Sequence, residues 1–117
     1  MAIISSHTLN GMNGTHAGDF PVRLINITQN SEIFSSSMDS NGRLEKNIDL
    51  SLTDATDKFE LVFDTGSYWN SLGLSSSDNQ IICEVVLRFS IPNKNARYHM
   101  PIILSPNSYS TWASQPE

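Results

Sequence analysis

Apolar and polar residues alternate with a period of two along most of this chain. Phe59, Leu61 and Phe63 alternate with Lys58, Glu60, Val62 and Asp64. Val85, Leu87, Phe89 and Ile91 alternate with Glu84, Val86, Arg88 and Ser90, and Met100, Ile102 and Leu104 with His99, Pro101 and Ile103. Successive side chains of a strand point to opposite faces, so each run predicts a strand with one face in a core. Pro21 to Ile27 and Ile33 to Met38 predict two more, and an N-terminal strand carries His7 on the same face as Ile3, Ser5 and Leu9. Turn signals separate the runs: Asn10-Gly11, Asn13-Gly14, Ser40-Asn41-Gly42, Pro92-Asn93 and Ser105-Pro106-Asn107. Many short strands with regular turns predict an all-β sandwich or barrel.

One segment departs from this period. From Asp64 to Gly73 the chain has a capping residue in front and a glycine behind, with Tyr68 and Leu72 four apart. That pattern predicts a helix of about two turns whose face carries Tyr68 and Leu72.

The 117 residues are enough for a single domain, 1–117, that buries a core without cross-links. Charged residues make up only 16% of the chain, and Ser, Thr and Asn fill the gap, with serine runs at Ser35-Ser36-Ser37 and Ser75-Ser76-Ser77. The net charge of -5 is scattered, which argues against nucleic acid and anionic membranes as partners, since both need a basic patch. No apolar stretch approaches the ~20 residues that span a bilayer. The start, Met1 to Ser6, lacks the charged n-region of a secretory signal, so the sequons at Asn13 and Asn26 are expected to be chance matches. Cys83 is the only cysteine; it excludes an internal disulfide and a Cys-rich zinc site and suits a reducing compartment. Its neighbours Ile81, Ile82, Val85 and Val86 predict a buried packing role.

The sequence holds no Gly-rich phosphate loop, no His-Glu-x-x-His pair, no Gly-x-Ser-x-Gly elbow and no Cys-x-x-Cys. Catalysis would have to use polar groups gathered from separate strands. His7 and His99 lie on strands, His99 facing away from the core, and Arg43 follows the Asn41-Gly42 turn. Two imidazoles and a guanidinium suit the addition of water to a carbonyl. A neutral histidine takes the water's proton, and an arginine fork holds the developing oxyanion or a planar urea-like group. Against this, a lone strand histidine is more often a surface or packed residue, and an arginine after a turn is most often solvated. His16, among Gly14, Thr15 and Gly18, is expected in a loop, and Tyr68 and Trp69 are expected to pack. Composition and spacing stop at a cytosolic all-β domain.

Motifs carry the reading further. Ser5-Ser6-His7-Thr8-Leu9-Asn10, Gly14 with Ala17, Pro21-Val22-Arg23-Leu24, Asp39-Ser40-Asn41-Gly42-Arg43, Phe63-Asp64-Thr65-Gly66-Ser67-Tyr68, Glu84 to Phe89, Tyr98-His99-Met100-Pro101-Ile102-Ile103-Leu104-Ser105-Pro106 and Ser108-Tyr109-Ser110-Thr111 follow one another in order. With these blocks the chain resembles the transthyretin-like proteins, and within them the 5-hydroxyisourate hydrolases of urate breakdown. The resemblance runs from Ile4 to Trp112. It implies a sandwich of two four-stranded sheets, about eight strands in all, with one short helix. It also implies a homotetramer, a dimer of dimers, with sites in the cleft between dimers.

In the hydrolases two histidines and an arginine line that cleft, and they fall on His7, Arg43 and His99 here. The hormone-carrying transthyretins lack all three. The resemblance therefore implies a cyclic-amide hydrolase that needs no metal or organic cofactor. Ser110, Thr111 and Trp112 would help to bind substrate. A zinc site at His7 and His99 is a poor alternative, because zinc normally takes at least three protein ligands. The chain departs from the family at two positions and in its tail: Asn10 stands for its Asp and His16 for its usual Pro. In place of the hydrolases' final Tyr-Arg-Gly-Ser stand Trp112-Ala113-Ser114-Gln115, followed by Pro116-Glu117. The tail opens the alternative of a transthyretin-like small-ligand-binding protein with weakened or lost catalysis. The tail also lacks a Ser-Lys-Leu-type address, which favours the cytosol over the peroxisome, the two compartments of such relatives. A tetramer is further expected because Ile103 and Val86 face outward and would leave an apolar patch on a monomer.

Overall fold

A computed structural model describes residues 1–74 and 80–116, so Glu117 and the serine run at Ser75 lie outside the described residues. Strands β1 (Ala2–Asn10), β2 (Pro21–Asn26), β3 (Ser31–Ser37), β4 (Arg43–Ile48) and β5 (Lys58–Phe63) are followed by helix α1 (Thr65–Ser71). Strands β6 (Val85–Ser90), β7 (Arg97–His99), β8 (Ile102–Ser105) and β9 (Ser108–Thr111) complete the chain. They form two sheets. One runs β3-β2-β5-β6, the other β4-β1-β8-β9 with β7 also on β1. The inward faces meet in a core that includes Ile4, Val22, Leu24, Phe59, Leu61, Phe63, Val85, Ile102 and Leu104, each at most 1% exposed.

The described residues hold nine strands where about eight were expected, and Pro101 is the reason. The run from Arg97 to Ser105 lies parallel to β1 throughout, β7 against Ile3 to Ser5 and β8 against Thr8 to Asn10. Proline has no N–H for the ladder, so the pairing breaks at that point. Ser6 Oγ bridges the break by donating to the Met100 carbonyl at 2.7 Å.

The helix forms where expected, but its buried face is different. Asp64 caps it, accepting from Ser67 N at 3.1 Å, and Gly73 ends it with φ +90°. Tyr68 and Trp69 are the buried pair, with rings 5.0 Å apart edge-on, whereas Leu72 is the C-cap and is 54% exposed. Thr65 is buried with them. The Tyr68 hydroxyl accepts a hydrogen bond from Asn10 Nδ2 at 3.0 Å.

Cys83 is exposed, contrary to the packing role expected of it. β6 begins only at Val85, so Ile81 and Cys83 lie in the segment ahead of the sheet, and Ile81 is 79% exposed. The backbone, not the side chain, makes the contact there: the Cys83 carbonyl accepts from Gly66 N at 2.9 Å. Among the described residues no helix is long and apolar enough to cross a membrane.

Candidate active site

The outer face of the β4-β1-β7 ladder carries the polar residues singled out above. β1 alternates cleanly, with Ile4, Ser6, Thr8 and Asn10 buried and Ile3, His7 and Leu9 half-buried on the outer side. Ser5 belongs to the outer set by alternation and is covered by its neighbours. Register then fixes the partners. His7 lies opposite Arg43 and Ser5 opposite Glu45 on β4, while on the other side Ser5 lies opposite His99 and Ile3 opposite Arg97. Directly paired strand residues hold their Cβ atoms roughly 4.5–5.5 Å apart, so these groups are neighbours.

A tight turn places Arg43. Asp39 Oδ1 accepts from the backbone N–H groups of Asn41 (2.8 Å) and Arg43 (2.9 Å). Gly42 has φ +71° and lies against the Thr8 backbone, where a Cβ would collide with a carbonyl. Thus the turn delivers Arg43, exposed, beside His7.

His99 is held by Ser5, whose Oγ lies 2.9 Å from Nδ1; among the described residues Nε2 has no hydrogen-bond partner. Burial pushes its pKa below the usual imidazole value, and the cations Arg43 and Arg97 push the same way. The His7 pKa is also lowered, first by burial, then by Arg43 and His16, and slightly by His99. A hydrogen bond to the Asn41 carbonyl opposes them. Both rings are thereby biased toward the neutral form, which accepts a proton. Two open hollows adjoin this face. One of about 270 Å³ is lined by Ser5, Arg97, His99, Ser114 and Gln115; the other, about 210 Å³, includes Ser5, Asp39, Arg43, Glu45, Arg97 and His99.

The structure therefore gathers His7, Arg43 and His99 on one face. Ser110, Thr111 and Trp112 are placed differently: they are exposed, Ser110 and Thr111 lie on β9, and none of the three lines either hollow. Thr111 donates its hydroxyl to the Pro101 carbonyl at 2.9 Å. The tail instead folds back along β7, where Ser114 N donates to the His99 carbonyl at 3.1 Å.

Sequence reasoning missed Ser5, Arg97, His16 and Gln115. Ser5 and Arg97 could have been found from alternation, two residues from His7 and His99 on the same faces. Arg97 is aimed by an ion pair with Glu45, 2.7 Å. The tight turns after Asn10 bring His16 back over β1 opposite Leu9, so it is exposed but on the site's face, with Nδ1 3.0 Å from His7 Nε2. Among the described residues no three His, Cys, Asp or Glu side chains converge to hold a metal.

Known proteins resemble this chain in sequence and in fold. A family model described as the HIUase/Transthyretin family matches residues 4–113. A Ralstonia nicotianae protein named 5-hydroxyisourate hydrolase is 31% identical over 114 residues, covering 96% of this chain and 97% of its own. The structure of Klebsiella pneumoniae 5-hydroxyisourate hydrolase superposes with a TM-score of 0.77 at 19% identity, covering 98% of this chain and 100% of that one. Sea bream transthyretin in complex with thyroxine superposes almost equally, with a TM-score of 0.76 at 22% identity over 95% and 93% of the two chains. The two solved structures therefore agree on the fold without choosing between enzyme and carrier. On the matched span and the near-complete relative, this chain belongs to the HIUase/Transthyretin family.

Proposed function

We propose that this chain, as one domain, hydrolyses 5-hydroxyisourate in urate breakdown. Water adds to the carbonyl of the cyclic amide, the C–N bond breaks and the six-membered ring opens to a ureidoimidazoline carboxylate. The observation that carries this reading is the gathering of His7, Arg43 and His99 on one outer face, with both imidazoles biased toward neutrality. His99, fixed at Nδ1 by Ser5 and without a partner at Nε2 among the described residues, takes a proton from the attacking water and delivers it to the leaving nitrogen. Arg43 holds the substrate and the oxyanion, and Arg97 adds positive charge beside it. His7 serves proton transfer at the other side of Arg43.

A homotetramer built as a dimer of dimers completes the site in this reading. Three observations support it. Each hollow in the single chain is smaller than the roughly 300 Å³ at which ligand pockets usually begin. Among the described residues β6 and β9 end their sheets with unpaired edges. Val86, Ile103, Tyr109 and Trp112 are 38–53% exposed. Ser110, Thr111 and Trp112 would then meet substrate across the cleft from a neighbouring chain.

The tail favours a second reading, a transthyretin-like ligand-binding protein with weakened catalysis, because Ala113 stands where the hydrolases' ending carries an arginine, and Ser114 and Gln115 lie beside His99. Freshly generated 5-hydroxyisourate, followed by absorbance with and without the protein, decides between them. Accelerated decay supports the hydrolase; decay at the buffer rate, with the ligand still bound, supports the carrier.

A further inference from the structure

We infer that His16 is a positioning and proton-relay residue for His7, an inference that rests on the hydrolase reading. Hydrolysis of an amide to a carboxylate uses both protons of the attacking water. One is carried by His99 to the ring nitrogen that leaves. The other belongs to the new carboxylic acid, which is ionised at neutral pH, so one proton per turnover must leave the site. The structure provides a route for it. His7 Nε2 and His16 Nδ1 are 3.0 Å apart with their rings tilted by 41°, and His16 is exposed while His7 is half-buried.

An imidazolium at His7 satisfies two acceptors at once. Nε2–H donates to Nδ1 of a neutral His16, and its other N–H serves the Asn41 carbonyl, which favours the protonated ring. Arg43 on β4 and His99 on β7 disfavour that charge. Asp39, near the same turn, has an oxygen committed to two backbone N–H groups. The proton is thus held briefly and passed outward, from His7 Nε2 to His16 Nδ1, and His16 sheds a proton to solvent. His99, the third histidine of the chain, is taken up in this reading by the proton transfer to the leaving nitrogen.

The test compares wild type with His16→Leu, which removes the hydrogen bond, and His16→Asn, which keeps a polar group near the Nδ1 position but cannot titrate. In dilute, weakly basic buffer, His16→Leu is expected to lower kcat by about 10-fold, the equivalent of one hydrogen bond, with KM within about 2-fold of wild type. Added imidazole should restore kcat in both variants, a rescue that a purely structural role would not give. Wild-type kcat in His16→Leu, or a loss that imidazole does not restore, would each overturn the relay while leaving the hydrolase intact. A wild-type protein that does not accelerate the decay at all would remove the hydrolase reading, and the relay with it.

Discussion

Asp57, in the loop ahead of β5, and His99, on β7, both titrate below their ordinary values, for opposite reasons. Asp57 is 3% exposed, and its Oδ2 accepts from Asn26 Nδ2 (2.9 Å), Gln29 Nε2 (2.8 Å) and Asp54 N (3.2 Å). Those donors favour the charged carboxylate, Asn26 above all, and hold its pKa down against burial. At His99 burial and two arginines disfavour the charged ring, and among the described residues Nε2 has no hydrogen-bond partner. A lowered pKa therefore marks a satisfied charge in the first cluster and an unsatisfied one in the second. In the second, Nε2 is the atom that can exchange a proton with a ligand. A perturbed group is a site candidate when its environment leaves it chemically incomplete.

The largest expected effect separates the two clusters directly. His99→Asn and His7→Asn should each lower kcat/KM by about 10²-fold or more, the scale of a general acid–base group, with little change in the thermal midpoint. Asp57→Ala should do the reverse. It strands the buried Asn26 donor, so the midpoint in a thermal melt should fall while the folded protein keeps wild-type kcat/KM. Next in size is Arg43→Lys, for which steady-state kinetics should show a loss of about 10-fold, because an ammonium cannot reproduce the planar fork.

The tail ranks third. Restoring the hydrolase ending (Trp112→Tyr, Ala113→Arg, Ser114→Gly, Gln115→Ser, with Pro116 and Glu117 removed) should raise kcat/KM by about 10-fold, the low end for a charged hydrogen bond. A rate no higher than wild type would show that Ser114 and Gln115 already serve beside His99. The smallest effect is on stability against pH. Lowered histidine pKa values mean that the unfolded chain binds protons first, so stability should begin to fall as pH drops below 6.5, and this limb should flatten in the double variant His7→Asn/His99→Asn. The contribution of Asp57 is present above its unfolded value near 3.8 and is lost only as pH falls below that toward its lower folded pKa, so Asp57→Ala should flatten only that more acidic limb.

How much of this was legible in the sequence depends on the range over which each feature is set. Alternation is local, and it located β5, β6 and the core faces of β7 and β8. The Asp64 cap and Gly73 are equally local, and they bounded the helix. Pro101 could have been read as a break, since a missing N–H is a property of the residue. Register is not local. Nothing near Arg97 in the chain says that it sits opposite Ile3, or that Glu45 aims it. His16 looked like a loop residue because its partner, His7, is met only when the chain folds back over β1. The apolar run around Cys83 misled for the same reason, since the start of β6 is fixed by pairing with Phe63. His7, Arg43 and His99 were suggested by their chemistry, and the resemblance singled them out; register then placed them on one face.

The central claim is that the outer face bearing His7, Arg43 and His99 is a hydrolytic site while the Asp57 cluster only stabilises the fold. The most direct test follows the absorbance of freshly generated 5-hydroxyisourate over equal concentrations of folded wild type, His99→Asn and Asp57→Ala. The account predicts rapid decay with wild type and Asp57→Ala, and a rate for His99→Asn lower by about 10²-fold or more. Wild-type decay at the buffer rate, or His99→Asn as fast as wild type, would contradict it.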